Sequence, residues 1–218
     1  MIKLCVFDLD GTLVNSLEDL AASTNYALIK NGFPPRQIHE FPYLIGDGVL
    51  ILLQRAMGEI YQEEQVQQLL EDFDYYYNGH YADLTRPYAG CVELLRDLQE
   101  EGLQLAVLSN KPDRFTKIIV EEMFPDITFA RIKGKSEHYP TKPDPASLNS
   151  ILEELQLAPE QALYIGDTNV DVLTAHNAGI KIAGAAWGFR GREELRQNGA
   201  DYLIESPHEI KNLIKQIS

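Results

Sequence analysis

The sequence predicts an α/β fold: a mostly parallel sheet flanked by helices, with a small helical block inserted after the first strand. Three observations predict it. Residues 2–7 form an apolar, partly β-branched run that ends abruptly at Asp8, as a buried parallel strand does. From about Ser16 to Asp83 the periodicity is helical, with no convincing strand. From Pro87 onward strand and helix patterns alternate, which is the pattern of a parallel sheet covered on both faces.

The elements follow in order. After 2–7, Asp10-Gly11-Thr12 turns the chain, and Ser16 with Asp19 three residues on has the form of a capping box. Leu17, Leu20, Ala21, Thr24, Ala27 and Leu28 then keep helical spacing up to a stop at Gly32. Further helices are expected at Val49–Met57 and 63–77. A helix over 91–101 stops at Gly102, and a strand over 103–108 ends at Ser109-Asn110-Lys111. Pro112 opens the next helix. Strands are expected at 127–132, 162–165, 180–185 and Tyr202–Ile204, and helices at Ala146–Leu155, 170–178, 193–197 and Glu209–Ile217. The reading is therefore a Rossmann-like core, residues 1–15 and 84–218, with a helical cap domain over 16–83.

Bulk properties narrow the function. With 218 residues and 44% hydrophobic content, the chain has enough apolar surface for a full core. Its formal charge of −14, from 33 acidic and 19 basic residues, argues against a nucleic-acid backbone as partner. No apolar run reaches the ~20 residues of a membrane helix. The N-terminus lacks the pattern of a signal peptide, so a cytoplasmic location is expected. Cys5 and Cys91 form no C-x-x-C pair and read as small buried residues. His39, His80, His138, His176 and His208 show no paired zinc-ligand spacing.

The chemistry gathers at strand ends. Asp8-Leu9-Asp10-Gly11-Thr12, Ser109-Asn110 and Gly166-Asp167-Thr168-Asn169-Val170-Asp171 each follow a predicted strand. In an open α/β sheet the ligand site lies beyond the carboxyl ends of the strands, so these segments should converge. Carboxylates meeting at one edge repel unless a hard cation joins them, and Mg²⁺ takes oxygen ligands. Asp8 and Asp167 supply carboxylates, and a backbone carbonyl near Asp10 supplies a third ligand. Lys142, Ser109 and turn N–H groups then hold an anion with tetrahedral oxygens. Singly, Asp167-Thr168 reads equally well as a helix cap, Ser109-Asn110 as a helix start and Lys142 as a surface lysine. Two acids at i and i+2 directly after a buried strand are far harder to explain as structure alone.

These motifs resemble those of the haloacid dehalogenase superfamily. Asp8-Leu9-Asp10-Gly11-Thr12 is similar to its first motif, and Ser109, Lys142 and Gly166-Asp167…Asp171 to its second, third and fourth, in order. The likeness covers essentially the whole chain, the helical block resembling the family's small α-helical cap. Ile45-Gly46-Asp47-Gly48, Gln54-Arg55-Ala56, Pro87-Tyr88-Ala89-Gly90, Ser109-Asn110-Lys111-Pro112 and Lys142-Pro143-Asp144-Pro145 are similar to the bacterial phosphoglycolate phosphatase branch.

The resemblance implies a phosphoric monoester hydrolase that passes through an aspartyl-phosphate. Asp8 is then the nucleophile and Asp10 the general acid and base. Mg²⁺ lies on Asp8, Asp167 and the Asp10 carbonyl. Leu9, Asp10, Ser109, Asn110 and Lys142 hold the phosphate, while Thr12 orients the loop and Asp171 holds Lys142 or a metal-bound water. Gly46 and Arg55 are the expected specificity residues, suited to a small metabolite carrying a carboxylate beside its phosphate, such as 2-phosphoglycolate; Gly46-Asp47-Gly48 reads nearly as well as a plain loop and Arg55 as a surface helix residue. The alternatives are a phosphatase for pyrophosphate or a sugar phosphate, a phosphomutase on the same scaffold, and a non-catalytic binding protein. The last is disfavoured because Asp8 and Asp10 are both present. A monomer or homodimer is expected.

Overall fold

The protein is described by a computed structural model covering residues 1–58 and 63–217. Strand β1 (Leu4–Phe7) is fully buried, and its four residues are apolar on both faces, as a central parallel strand requires. A two-residue strand β2 (Val14–Asn15) follows. The helical insertion comes next: α1 (Leu17–Lys30), a 3₁₀ turn at Ile38–Glu40, α2 (Phe41–Leu44), α3 (Val49–Met57) and α4 (Glu63–His80). Strand β3 (Arg86–Pro87) then returns the chain to the sheet. The rest runs α5 (Cys91–Glu100), β4 (Gln104–Pro112), α6 (Asp113–Met123), β5 (Arg131–Lys135), α7 (Ala146–Leu155), β6 (Ala162–Gly166), α8 (Asn169–Asn177), β7 (Lys181–Ala185), α9 (Gly191–Gln197), β8 (Tyr202–Ile204) and α10 (Glu209–Ile217).

The main sheet has six strands in the order β5-β4-β1-β6-β7-β8, every pairing parallel. The order reverses between β1 and β6, so a crevice for ligand opens beyond their carboxyl ends. One apolar cluster, including Phe7, Leu95, Val107, Phe124 and Ile210, fills one side of the sheet. A second, including Val6, Leu148, Ile151, Tyr164 and Ile182, fills the other. The insertion has its own core, in which Leu28, Phe41, Leu53, Leu69 and Phe73 are joined by Phe115 from α6.

The base of the insertion is tied at both ends. β2 pairs antiparallel with β3, Val14 facing Pro87 and Asn15 facing Arg86. Asp19 is buried and accepts from the N–H groups of Leu84 and Thr85 and from the Thr85 hydroxyl. This corrects the expected capping box. Ser16 makes no side-chain cap bond; its hydroxyl turns to Asp10 instead. A second correction concerns β5, which begins at Arg131 rather than at 127. Ile127 and Phe129 are apolar because they pack from a loop onto the core. The strand itself, RIKGK, is polar because it is a sheet edge, where charge blocks further pairing. Among the described residues no helix is long and apolar enough to cross a membrane.

Candidate active site

Every strand that ends at the crevice delivers a polar group to it. Asp8 follows β1 directly, and its carboxylate is buried with Oδ1 3.0 Å from the Lys142 ammonium. Oδ1 also accepts from the Leu9 N–H at 2.7 Å. Lys142 is itself buried and bridges to Asp171 Oδ1 at 2.7 Å, with the Leu108 carbonyl and the Tyr164 hydroxyl each at 3.2 Å. Asp171 is held by the helix that carries it. At the start of α8 the Thr168 side chain accepts from the Asp171 N–H while Asp171 accepts from the Thr168 N–H. Thr168 and Asp171 thus form the capping box, and Asp167, one residue earlier, is left to face the crevice.

Asp167 has no exposed surface. It accepts from the Thr12 hydroxyl at 3.1 Å and from the Phe189 N–H at 2.8 Å. Two glycines crowd it. A Cβ on Gly11, whose φ is +85°, would run into the carboxylate, and a Cβ on Gly188 would strike Asp167 and the Gly11 carbonyl. The loop after β7 therefore belongs to the site as firmly as the loop after β1.

The electrostatics follow from burial. Desolvation pushes the Asp8 carboxyl up to about 7; the Lys142 charge opposes this, and Asp171 and Asp10 add to it. Desolvation also pushes Asp167 well above the ordinary carboxyl range, helped by repulsion from Asp171 and Asp8. For Lys142 burial works against the charge, but Asp171 and Asp8 outweigh it and the ammonium is held charged.

Asp8, Asp167 and Asp171 present carboxylate oxygens within 4.8 Å of one another, all buried. With Asp10 they make four acids against two buried ammonium groups, Lys142 and Lys111, a formal charge of −2. Asp171 is held through both oxygens by charge and cap, Oδ1 by Lys142 and Oδ2 by the Thr168 N–H and hydroxyl, whereas the bonds to Asp8 fall on Oδ1; Asp8 and Asp167 are the carboxylates better placed to take a cation. Hard oxygen donors and a doubly negative pocket fit a divalent ion of the magnesium type.

Asp10 sits across the crevice. Its Oδ1 accepts from the Ser16 hydroxyl at 2.5 Å, and both oxygens lie 3.0–3.1 Å from Lys111 Nζ. From the sequence Ser16 read as a helix cap and Lys111 as part of a branch motif, and neither was assigned to the site. The signal for Lys111 was its place directly after Ser109-Asn110, because β4 stays buried through Lys111 instead of ending at Leu108. Asp8, Asp10, Ser109, Asn110, Lys111 and Thr168 line a cavity. Leu20, Ile45, Leu52, Phe73, Tyr77 and Phe189 line it as well, with Gly46 and Gly48.

Two expected residues have other duties. The Asn110 side chain donates to the Gly46 and Lys142 carbonyls and accepts from the Lys142 N–H, so it joins three segments at the cavity it lines. Arg55 pairs with Asp47 at 2.6 Å and donates to the Leu44 carbonyl; it does not line the cavity.

Comparison with known proteins decides the lineage. Residues 5–185 match the model of the haloacid dehalogenase-like hydrolases. The chain belongs to that family. Its relatives include proteins named phosphoglycolate phosphatase from Haemophilus influenzae, 32% identical over 97% of this chain and 98% of that one, and from Mannheimia succiniciproducens, 34% identical over the same shares. Among solved structures, one described as a predicted phosphoglycolate phosphatase from Haemophilus somnus superposes with a TM-score of 0.91 at 31% identity, covering 98% of each chain. The expected class, a phosphoric monoester hydrolase of the haloacid dehalogenase-like family, agrees with these relatives and with the fold.

Proposed function

We propose that this family member is a Mg²⁺-dependent phosphatase that hydrolyses a small phosphate monoester, 2-phosphoglycolate or a close analogue, through a phosphorylated Asp8. One observation carries the reading: the Asp8 carboxylate is buried against the Lys142 ammonium in a cavity that Asp10 also lines. The relatives' names support the substrate class.

Asp8, Asp167 and the Asp10 carbonyl would hold the cation, which would neutralise phosphoryl charge and align the ester. An Asp8 oxygen attacks phosphorus, forming an aspartyl-phosphate as the ester P–O bond breaks. Asp10 gives a proton to the departing alkoxide, so the alcohol leaves neutral. Asp10 then takes a proton from water, whose oxygen attacks phosphorus, and the bond to Asp8 breaks to release phosphate. Lys142 and Ser109 hold phosphoryl oxygens, together with the N–H groups that follow Asp8. Thr12 and the Phe189 N–H fix Asp167, and Asp171 fixes Lys142.

We assign residues 16–83 to the cap, which supplies the apolar walls that exclude water, and 1–15 with 84–218 to the core. The Asn110 bond to Gly46 and the Arg190 bond to the Ile45 carbonyl (3.1 Å) join insertion to core in this closed arrangement. Phosphate release from a panel of small esters tests the assignment. The reading requires turnover that needs Mg²⁺ and ranks 2-phosphoglycolate at or near the top. An enzyme that isomerises a phosphate ester without releasing phosphate contradicts it.

A further inference from the structure

The cavity is lined by charged groups about Asp8 and Asp10 and by apolar side chains, most of them from the insertion, and the two kinds of lining meet at one place. There the core strand β4 presents Lys111 and the insertion helix α4 presents Tyr77. Among the described residues lining the cavity, Lys111 is the only cation. It is 6% exposed, and its Nζ lies 4.9 Å from the centre of the Tyr77 ring. Burial opposes its charge, but Asp10 and Tyr77 outweigh that, so it stays an ammonium.

Tyr77 is 1% exposed and its ring is fixed by Phe73 and Phe115, with centroids 5.2 and 4.8 Å away. Its polar neighbour is the Lys111 ammonium, which can only donate to it, and among the described residues the hydroxyl's own proton finds no acceptor. Leaving a buried hydroxyl unsatisfied costs about 1–3 kcal/mol. A phenylalanine would fill the same space without that cost, so a hydroxyl retained here calls for an acceptor that these residues do not provide. Burial pushes its ionisation up to about 12, which keeps it a donor near neutral pH.

We infer that the Lys111 ammonium and the Tyr77 hydroxyl are the two donors that bind the carboxylate of the substrate's leaving group. The inference rests on the proposed phosphatase reading and replaces Arg55 as the specificity cation. Among the described residues the one charged partner of Lys111 is the carboxylate of Asp10. A substrate carboxylate arriving between Lys111 and Tyr77 shares or takes over that contact within the cavity that Asp8 also lines. Phosphate beside Asp8 and carboxylate beside Lys111 are then gripped by separate groups, with the ester oxygen between Asp8 and Asp10. The apolar lining strengthens the contact by excluding water.

A matched pair of esters tests this. Ethyl phosphate has the two-carbon skeleton of 2-phosphoglycolate with a methyl group in place of the carboxylate. The wild type should prefer 2-phosphoglycolate in kcat/KM. Lys111→Met should cut that preference by roughly tenfold to a hundredfold, the scale of a charge-assisted hydrogen bond. Tyr77→Phe keeps the ring and its packing, so the fold survives even if the lysine variant is unstable. It should cut the preference severalfold while its melting temperature holds or rises. Glycolate binding by calorimetry gives a readout free of turnover, and it should weaken in both variants. A wild type with no preference, or variants that lose both esters equally, overturns the inference and leaves the phosphatase reading standing. A wild type that hydrolyses neither ester sinks the phosphatase reading; glycolate binding that depends on Lys111 and Tyr77 would then still support the site, and its absence would overturn it.

Discussion

The Lys142 ammonium lies 2.7 Å from Asp171 Oδ1, and both side chains are almost wholly shut off from solvent, at 3% and 0% exposure. The pair closes the back of the site, and its other end is Asp8, 3.0 Å from the same nitrogen. Lys142→Met should therefore do two kinds of damage. It leaves two buried carboxylates without their counter-charge, which costs about 3–5 kcal/mol. It also removes the cation expected to hold the phosphoryl group. Denaturant unfolding and steady-state turnover should both fall. A variant that loses activity at full stability would mean that Lys142 serves the chemistry alone.

Asp10→Asn tests the other wall. An amide neither gives up a proton to the leaving oxygen nor takes one from water, so formation and hydrolysis of the phospho-enzyme should both slow, by about a hundredfold or more each. Rapid-quench kinetics separate the two steps. Slowing of the first step alone would assign activation of water to another base.

Metal dependence and pH are linked through Asp8. Its carboxyl titrates at about 7 in the metal-free fold, raised by burial, and near ~4 in the unfolded chain. Between those values the folded protein keeps a proton that the unfolded chain has released, so metal-free stability falls as pH rises. A cation on the ionised carboxylate reverses the penalty. The rise in melting temperature on adding Mg²⁺ should be larger near pH ~7.5 than near pH ~5. Chelation should stop turnover and Mg²⁺ should restore it. Ca²⁺ should inhibit, because its looser shell can hold both Asp8 oxygens. A Mg²⁺ shift independent of pH would detach the cation from Asp8.

Arg55→Ala should leave the ranking of esters unchanged. Arg55 is 39% exposed and spends its charge on Asp47, so its loss should cost at most ~1 kcal/mol of stability. A selective loss on carboxylated esters would return it to the site.

Much of this was legible in the sequence. Buried parallel strands announce themselves as apolar runs, so β1, β4 and β6 and the acids that follow them could be placed from residue order alone. The strand-end rule then gathered Asp8, Asp10, Ser109 and Asp167 at one edge. What stayed hidden depends on packing across long sequence gaps. Ser16 and Asp19 have the spacing of a cap, yet each is claimed by a distant partner, Asp10 and the Leu84–Thr85 backbone. Asp10 holds Lys111 from 101 positions away, and Tyr77 looks like one more tyrosine in a helix rich in them until its ring is seen against Phe115 and Lys111. Phe189 contributes only a backbone N–H, which residue type does not encode. Edge strand β5 was displaced because its apolar neighbours belong to the loop before it.

The central claim is that phosphate passes through Asp8, and trapping that intermediate tests it most directly. The Asp10→Asn enzyme, mixed with 2-phosphoglycolate and Mg²⁺, should be quenched in acid within the first turnover and digested for mass spectrometry. The account predicts one added phosphoryl group on the peptide that contains Asp8, absent when Asp8→Asn is introduced as well. A phosphoryl group on another residue, or turnover by a folded Asp8→Asn enzyme, would contradict it.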